Sequence, residues 1–203
     1  MNDIYKTIEQ ESTGYFKDKG SKFYSYAYPL QNEDEVKNII NKLKKEHHSA
    51  RHHCYAWRLG TEDIKTRAND DGEPSSTAGK PILGQLQSHE ITNILVVVVR
   101  YFGGTLLGVS GLINAYKSAT IEVLNNAKIK TKTVEISFDL KFEYPLLNPV
   151  MNTIKKEVLN IVSTDFQESC KLIFSVRKTE AEKAFTVFDK LYGVRVKQLD
   201  SSN

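Results

Sequence analysis

The chain has 203 residues, 40% of them hydrophobic and 26% charged, and carries a net charge of +3. That length allows one or two domains with real cores. The near balance of charge excludes a module that is basic in bulk. Divided after Thr131, the first part holds 17 basic and 15 acidic residues and the second 11 and 10, so any charged site must be local.

Two cysteines, Cys54 and Cys170, form no disulfide framework and suit a reducing compartment. The opening residues MNDIYKTIEQES lack the apolar stretch of a signal peptide. The longest apolar run, Ile94 to Val99, falls far short of the roughly 20 residues that span a bilayer. The expected location is cytoplasmic.

In chain order, residues 4–30 read as extended structure, with Gly20-Ser21 as a turn between aromatic-rich runs. Asn32 stands three residues before Glu35, a capping-box-like start, and Val36, Ile39, Ile40 and Leu43 follow at helical spacing. The pattern predicts a helix over 33–47 and a strand over 52–60. A polar loop is expected from 61 to 80, long enough to suggest a function. Pro81 suits the first turn of a short helix to Ser88. Ile94-Leu95-Val96-Val97-Val98-Val99 has no polar alternation and predicts a strand buried on both faces. A helix is expected from Leu112 to Asn126.

Lys128 to Lys132, KIKTK, reads as a polar joint, giving domains 1–131 and 132–203. Beyond it, Val134, Ile136, Phe138 and Leu140 alternate with polar residues as a half-buried strand. A helix follows at 146–158, then a hairpin from 160–167 and 171–177. Thr179 and Glu182 predict a capping box for a helix to Tyr192, with Gly193 as its C-cap and a last strand at 194–199. The order β-α-β-β-α-β is the ferredoxin-like split pattern.

Four stretches, in order, are similar to the IMPACT/YigZ family. They are Ala50-Arg51-His52-His53-Cys54-Tyr55-Ala56; Asp70-Asp71-Gly72-Glu73-Pro74 continuing to Thr77-Ala78-Gly79-Lys80-Pro81-Ile82-Leu83; Val98-Val99-Arg100-Tyr101-Phe102-Gly103-Gly104; and Leu107-Gly108 through Gly111-Leu112 to Ala115-Tyr116. The resemblance implies a two-domain α+β protein. Its first half would have the ribosomal protein S5 domain 2-like fold, and its second the ferredoxin-like C-terminal module of elongation factor G. It also implies a role in translation regulation. The chain departs from the family pattern at Ser76 and Ser110, where glycine is usual, and at Asn114, where Arg or Lys is common and a cation is lost.

Asp70, Asp71 and Glu73 lie beside Gly72 and Pro74. They read either as a recognition loop or cation site, or as a rigid turn whose Asp side chains bond nearby N–H groups. The spacing is not that of an EF-hand. At Arg100-Tyr101-Phe102-Gly103-Gly104 a buried strand opens toward a helix. Glycines there let backbone N–H groups face an anion, the aromatics offer stacking faces, and Arg100 is suited to a phosphate. The alternative is that the aromatics are core and the glycines serve tight packing. His47, His48, His52, His53 and Cys54 lack the four-ligand spacing of structural zinc, so buried or edge-lining roles are expected. Lys22, Arg51, Arg67, Lys80, Arg100 and Lys117 make a phosphate-binding patch if folding gathers them.

These readings favour a binding protein over an enzyme, with no catalytic residue, metal or cofactor expected. Its partner would be RNA, the ribosome or a translation-regulator protein. Two alternatives are a metal-assisted enzyme acting on a phosphorylated small molecule and a pure protein-interaction module.

Overall fold

The structure is a computed structural model and describes residues 3–166 and 169–199. Residue 167 of the expected hairpin, and the outermost residues of both expected domains, lie outside the described residues. The chain divides into two compact units, one spanning 5–132 and the other formed by 3–4 with the residues from Thr133 onward. Both are mixed α+β. No helix among the described residues is long and apolar enough to cross a membrane.

The first unit contains β1 (Ile4–Ile8), β2 (Ser12–Asp18), β3 (Ser21–Pro29), α1 (Asp34–Glu46), β4 (His52–Leu59), β5 (Lys65–Asn69), α2 (Gly79–Ser88), β6 (Ile94–Tyr101), α3 (Gly108–Asn126) and β7 (Ile129–Thr133). Five strands form an antiparallel sheet in the order β2-β3-β6-β4-β5. Its central strand is the unbroken apolar run. Ile94, Val96 and Val98 pack with Ile82 and Leu86 of α2 and Ala115 and Tyr116 of α3. Leu95, Val97 and Val99 turn to the other face and pack with Trp57 and with Val36 and Leu43 of α1. These six of the eight β6 residues are fully buried, each contributing about 1.5–3 kcal/mol by leaving water.

The start of α1 follows the sequence signal. The Asn32 side-chain oxygen accepts the backbone N–H groups of Asp34 and Glu35, and its amide donates to the Glu35 carboxylate at 2.8 Å. Other boundaries differ. The expected loop 61–80 contains β5, an edge strand whose sequence KTRAN has no apolar face to announce it. Helix α2 begins at Gly79 and α3 at Gly108, earlier than their first strong helix formers. The KIKTK joint is itself strand β7, paired with β1. Glu9 fastens it through Lys128 at 2.6 Å and Lys130 at 2.5 Å.

The second unit runs β8 (Glu135–Glu143), α4 (Leu147–Lys156), β9 (Asn160–Phe166), β10 (Ser169–Arg177), α5 (Ala181–Asp189) and β11 (Arg195–Gln198). Its antiparallel sheet has the order β11-β8-β10-β9, the split β-α-β-β-α-β arrangement. Phe138, Leu140, Leu172, Phe174 and Phe188 form its core. The expected Thr179–Glu182 capping box does not form. The Thr179 hydroxyl donates to the Asp3 carboxylate at 3.0 Å instead, alongside the Arg177 guanidinium at 3.2 Å. Helix α5 closes at Asp189, so Gly193, at φ +83°, lies beyond its cap.

Candidate binding ledge at one end of the five-stranded sheet

Register places the start of β3, the start of β4 and the end of β6 together, since Lys22 faces Tyr101 and His52 faces Arg100. The loops that leave this end are the two glycine-punctuated bends of the sequence. They meet over a buried ion pair. Arg100 Nη1 lies 2.7 Å from Glu73 Oε1, with the two side chains only 7% and 4% exposed. The Tyr116 hydroxyl donates to the same Glu73 oxygen at 2.8 Å. The second guanidinium nitrogen of Arg100 faces the Ser21 hydroxyl at 3.4 Å, and its carbon lies 5.7 Å from the Phe23 ring centre and 5.8 Å from that of Phe102.

Cys54 sits at the base of this network, its Sγ 2.9 Å from the Asp70 carbonyl and 3.3 Å from the Tyr116 hydroxyl. Burial pushes the thiol well above its ordinary range, and burial does the same to the Tyr116 hydroxyl. A thiol held protonated in this way is not a nucleophile at neutral pH.

The acidic loop is a rigid turn bonded to itself. Asp70 accepts N–H groups from Ser76, Ala78 and Gly79 at 2.8–3.0 Å, and so holds the start of α2. Burial would raise its pKa, but these backbone donors outweigh that and hold it below the usual carboxylate range. Asp71 accepts the His53 backbone N–H at 2.7 Å and pairs with Lys44 at 3.2 Å. Asp71 and Gly72 both take positive φ, +40° and +88°, which reverses the chain above them.

The outer surface comes from Phe102 to Ile113. Phe102 is 45% exposed, Leu106 83%, Val109 60% and Ile113 36%. Val109, Ile113 and Lys117 recur every four residues and share one side of α3. No side chain caps the start of α3, and its first turn holds no acidic residue. That end therefore presents N–H groups and positive dipole to whatever approaches.

The sequence-predicted residues fall into three places. Arg51, Lys80, Phe102, Gly103, Gly104 and Lys117 are exposed residues of this region of the first unit. Beneath them Asp70, Glu73 and Arg100 form the support. Arg100 is not a surface cation, because Glu73 and two aromatic rings enclose it. Tyr101, Asp71 and Arg67 turn to the opposite, α1-facing side. There the Tyr101 hydroxyl meets His47 Nδ1 at 2.8 Å, and its ring stands edge-on to Tyr24. Asp71 and Arg67 line a separate cleft beside α1. His47 also meets the Tyr26 hydroxyl at 2.6 Å and His52 meets the Asp71 carbonyl at 2.9 Å, both framework contacts. Among the described residues, no three His, Cys, Asp or Glu side chains are grouped to hold a metal ion.

Sequence reasoning gave Tyr116 only as part of a motif and passed over Leu106, Val109 and Ile113. The apolar residues of α3 exceed one stripe: Leu112, Ala115, Tyr116 and Ala119 already fill the core face, so Val109 and Ile113 had to point outward.

Residues 19–124 match the model of the Impact N-terminal domain, so the chain belongs to the IMPACT family. It is 36% identical over 166 residues to an IMPACT family member of Haemophilus influenzae, covering 81% of each chain. It is 31% identical to IMPACT family member YvyE of Bacillus subtilis, covering 89% of this chain and 83% of that one. A solved structure titled "Crystal structure of an hypothetical protein" superposes with a TM-score of 0.69 at 27% identity, covering 99% of this chain and 98% of the other.

Proposed function

We propose that this protein is a non-enzymatic binding protein of translation regulation, and that the ledge of its first unit contacts RNA, free or on the ribosome. The observation that carries the reading is the exposed run from Phe102 to Leu106, which leads through the buried Leu107 to an uncapped helix start at Gly108. Phe102 offers a ring for an unpaired base, worth about 1–3 kcal/mol per stacked base. The N–H groups at Gly108 and Val109 suit a phosphate. Arg51, Lys80 and Lys117 are exposed cations for the backbone, whereas Lys22, paired with Tyr101, lies on the α1 side of the sheet. Family membership supports the reading, as the resemblance implies work in translation. The division near Thr131, and the S5 domain 2-like assignment of the first domain, belong to the same reading.

The test is binding of a single-stranded RNA to the full chain at two salt concentrations. Phe102→Ala is expected to weaken binding about tenfold or more, and Lys117→Glu to weaken it and flatten the salt dependence. Affinity unchanged in both variants would remove RNA as the partner. It would turn attention to a protein contact through Leu106, Val109 and Ile113, the exposed apolar side of the same ledge.

A further inference from the structure

The opposite face of the same sheet carries a second site. Helix α1 packs over β6 and β4 but leaves the edge strand β5 open, and a cleft of about 370 Å³ lies between this side of the sheet and the helix. Its floor is set by register. His53, Tyr55 and Trp57 point to the α1 side of β4, and the last two stand opposite Asn69 and Arg67 of β5. Its wall is α1, with Val36, Ile40, Lys37 and Asn41.

Charges in the cleft are unevenly matched. Lys44 pairs with Asp71, and Glu33 lies 3.9 Å from Lys65. Lys37 and Arg67, both exposed, make no ion pair among the described residues. The cleft's inner end holds a further unmatched group. His53 is 4% exposed, yet its Nε2 has no hydrogen-bond partner. Burial, with Lys44 nearby, holds the imidazole below its ordinary range against the pull of Asp71, so it is neutral at pH 7. A buried polar atom left without a partner costs about 1–3 kcal/mol.

We infer that this cleft binds a nucleoside monophosphate, with the base against the half-buried Tyr55, over the buried Trp57, and the phosphate between Lys37 and Arg67. The volume falls at the low end of ligand sites, about 300–1,000 Å³, and fits one nucleotide rather than two. Asn41 and Asn69 carry amide donors and acceptors at the rim, the groups that read a base edge. Two unpaired cations suit a dianionic phosphate better than a carboxylate. The site does not depend on the ledge, which lies on the α2 and α3 side and uses none of these residues.

Trp57 is the chain's one tryptophan and lies in the cleft floor, so its fluorescence reports binding directly. Adenosine 5′-monophosphate and cytidine 5′-monophosphate titrated into the full-length protein are expected to quench it saturably. Adenosine alone and inorganic phosphate alone are expected to bind at least about tenfold more weakly. The double variant Lys37→Ala with Arg67→Ala removes two exposed side chains and leaves the core intact. It is expected to weaken nucleotide binding at least about tenfold. Absence of a saturable signal at millimolar nucleotide overturns the inference. So does equal binding by the double variant, or inorganic phosphate binding as well as the nucleotides. None of these results bears on RNA binding at the ledge.

Discussion

Gly20 and Gly103 touch backbone to backbone. A Cβ on Gly103 would lie 1.9 Å from the Gly20 carbonyl carbon, and a Cβ on Gly20 would lie 2.7 Å from the Gly103 carbonyl oxygen. The β2–β3 turn and the bend after β6 are thereby locked against each other. This contact fixes the ledge, because Phe102 and Gly104 flank it.

Gly103→Ala therefore forces the two loops apart and is expected to destabilise the protein by several kcal/mol, about the cost of severe overpacking. Gly104→Ala is a matched control. It has open space around its Cβ but sits at φ +87°, so a cost of only about 1–2 kcal/mol is expected. Thermal melts of the two variants check the order, and equal losses would refute it.

Removing one partner of the buried Arg100–Glu73 pair leaves the other charge enclosed. Glu73→Leu is expected to cost about 3–5 kcal/mol. Combining it with Arg100→Met should cost less than the two single changes added together, because no charge is then stranded. Denaturant unfolding of the four proteins measures the coupling, and additive losses would show that the pair does not interact.

Glu9 gives the pH dependence. Hydrogen bonds from Lys128, then Lys130, hold its carboxyl down at about 2, well below its ordinary value of about 4.5. A depressed folded pKa supplies stability above the unfolded value, and that stability is lost as pH falls from about 4.5 through 2. Glu9→Gln is therefore expected to melt earlier than the parent at pH 6, with the gap closing by pH 2. A gap constant across that window would disprove the link between Glu9 and β7.

Ser76 sits at φ +66°. Its side chain strains a backbone that glycine adopts freely. Ser76→Gly is expected to raise stability by roughly 1 kcal/mol while keeping the Ser76 N–H bond to Asp70. A loss of stability on calorimetric melting would mean that the hydroxyl contributes more than the strain costs.

Most of the fold was legible where the signal is local. The apolar run of β6 announced a strand with two buried faces, and Asn32 with Glu35 announced the start of α1. The resemblance carried the family. What stayed hidden depended on partners distant in sequence. β5 is a polar edge strand that exists because β4 lies beside it. Helix α2 starts at Gly79 because Asp70, nine residues earlier, receives its N–H groups. In the candidate site, Phe102 and the glycines were legible from the bend chemistry. The fate of Arg100 was not, because a cation at the end of a buried strand reads the same whether its counter-ion is a ligand or Glu73.

Asp3 belongs with residues from Thr133 onward, clasped by Arg177 and Thr179. The second unit is therefore stitched from two separate stretches of the polypeptide, and the chain crosses between the units twice. A fragment beginning at Thr133 would leave that arginine without its acidic mate. During synthesis, the second unit waits for its later strands while holding a piece made before the first unit.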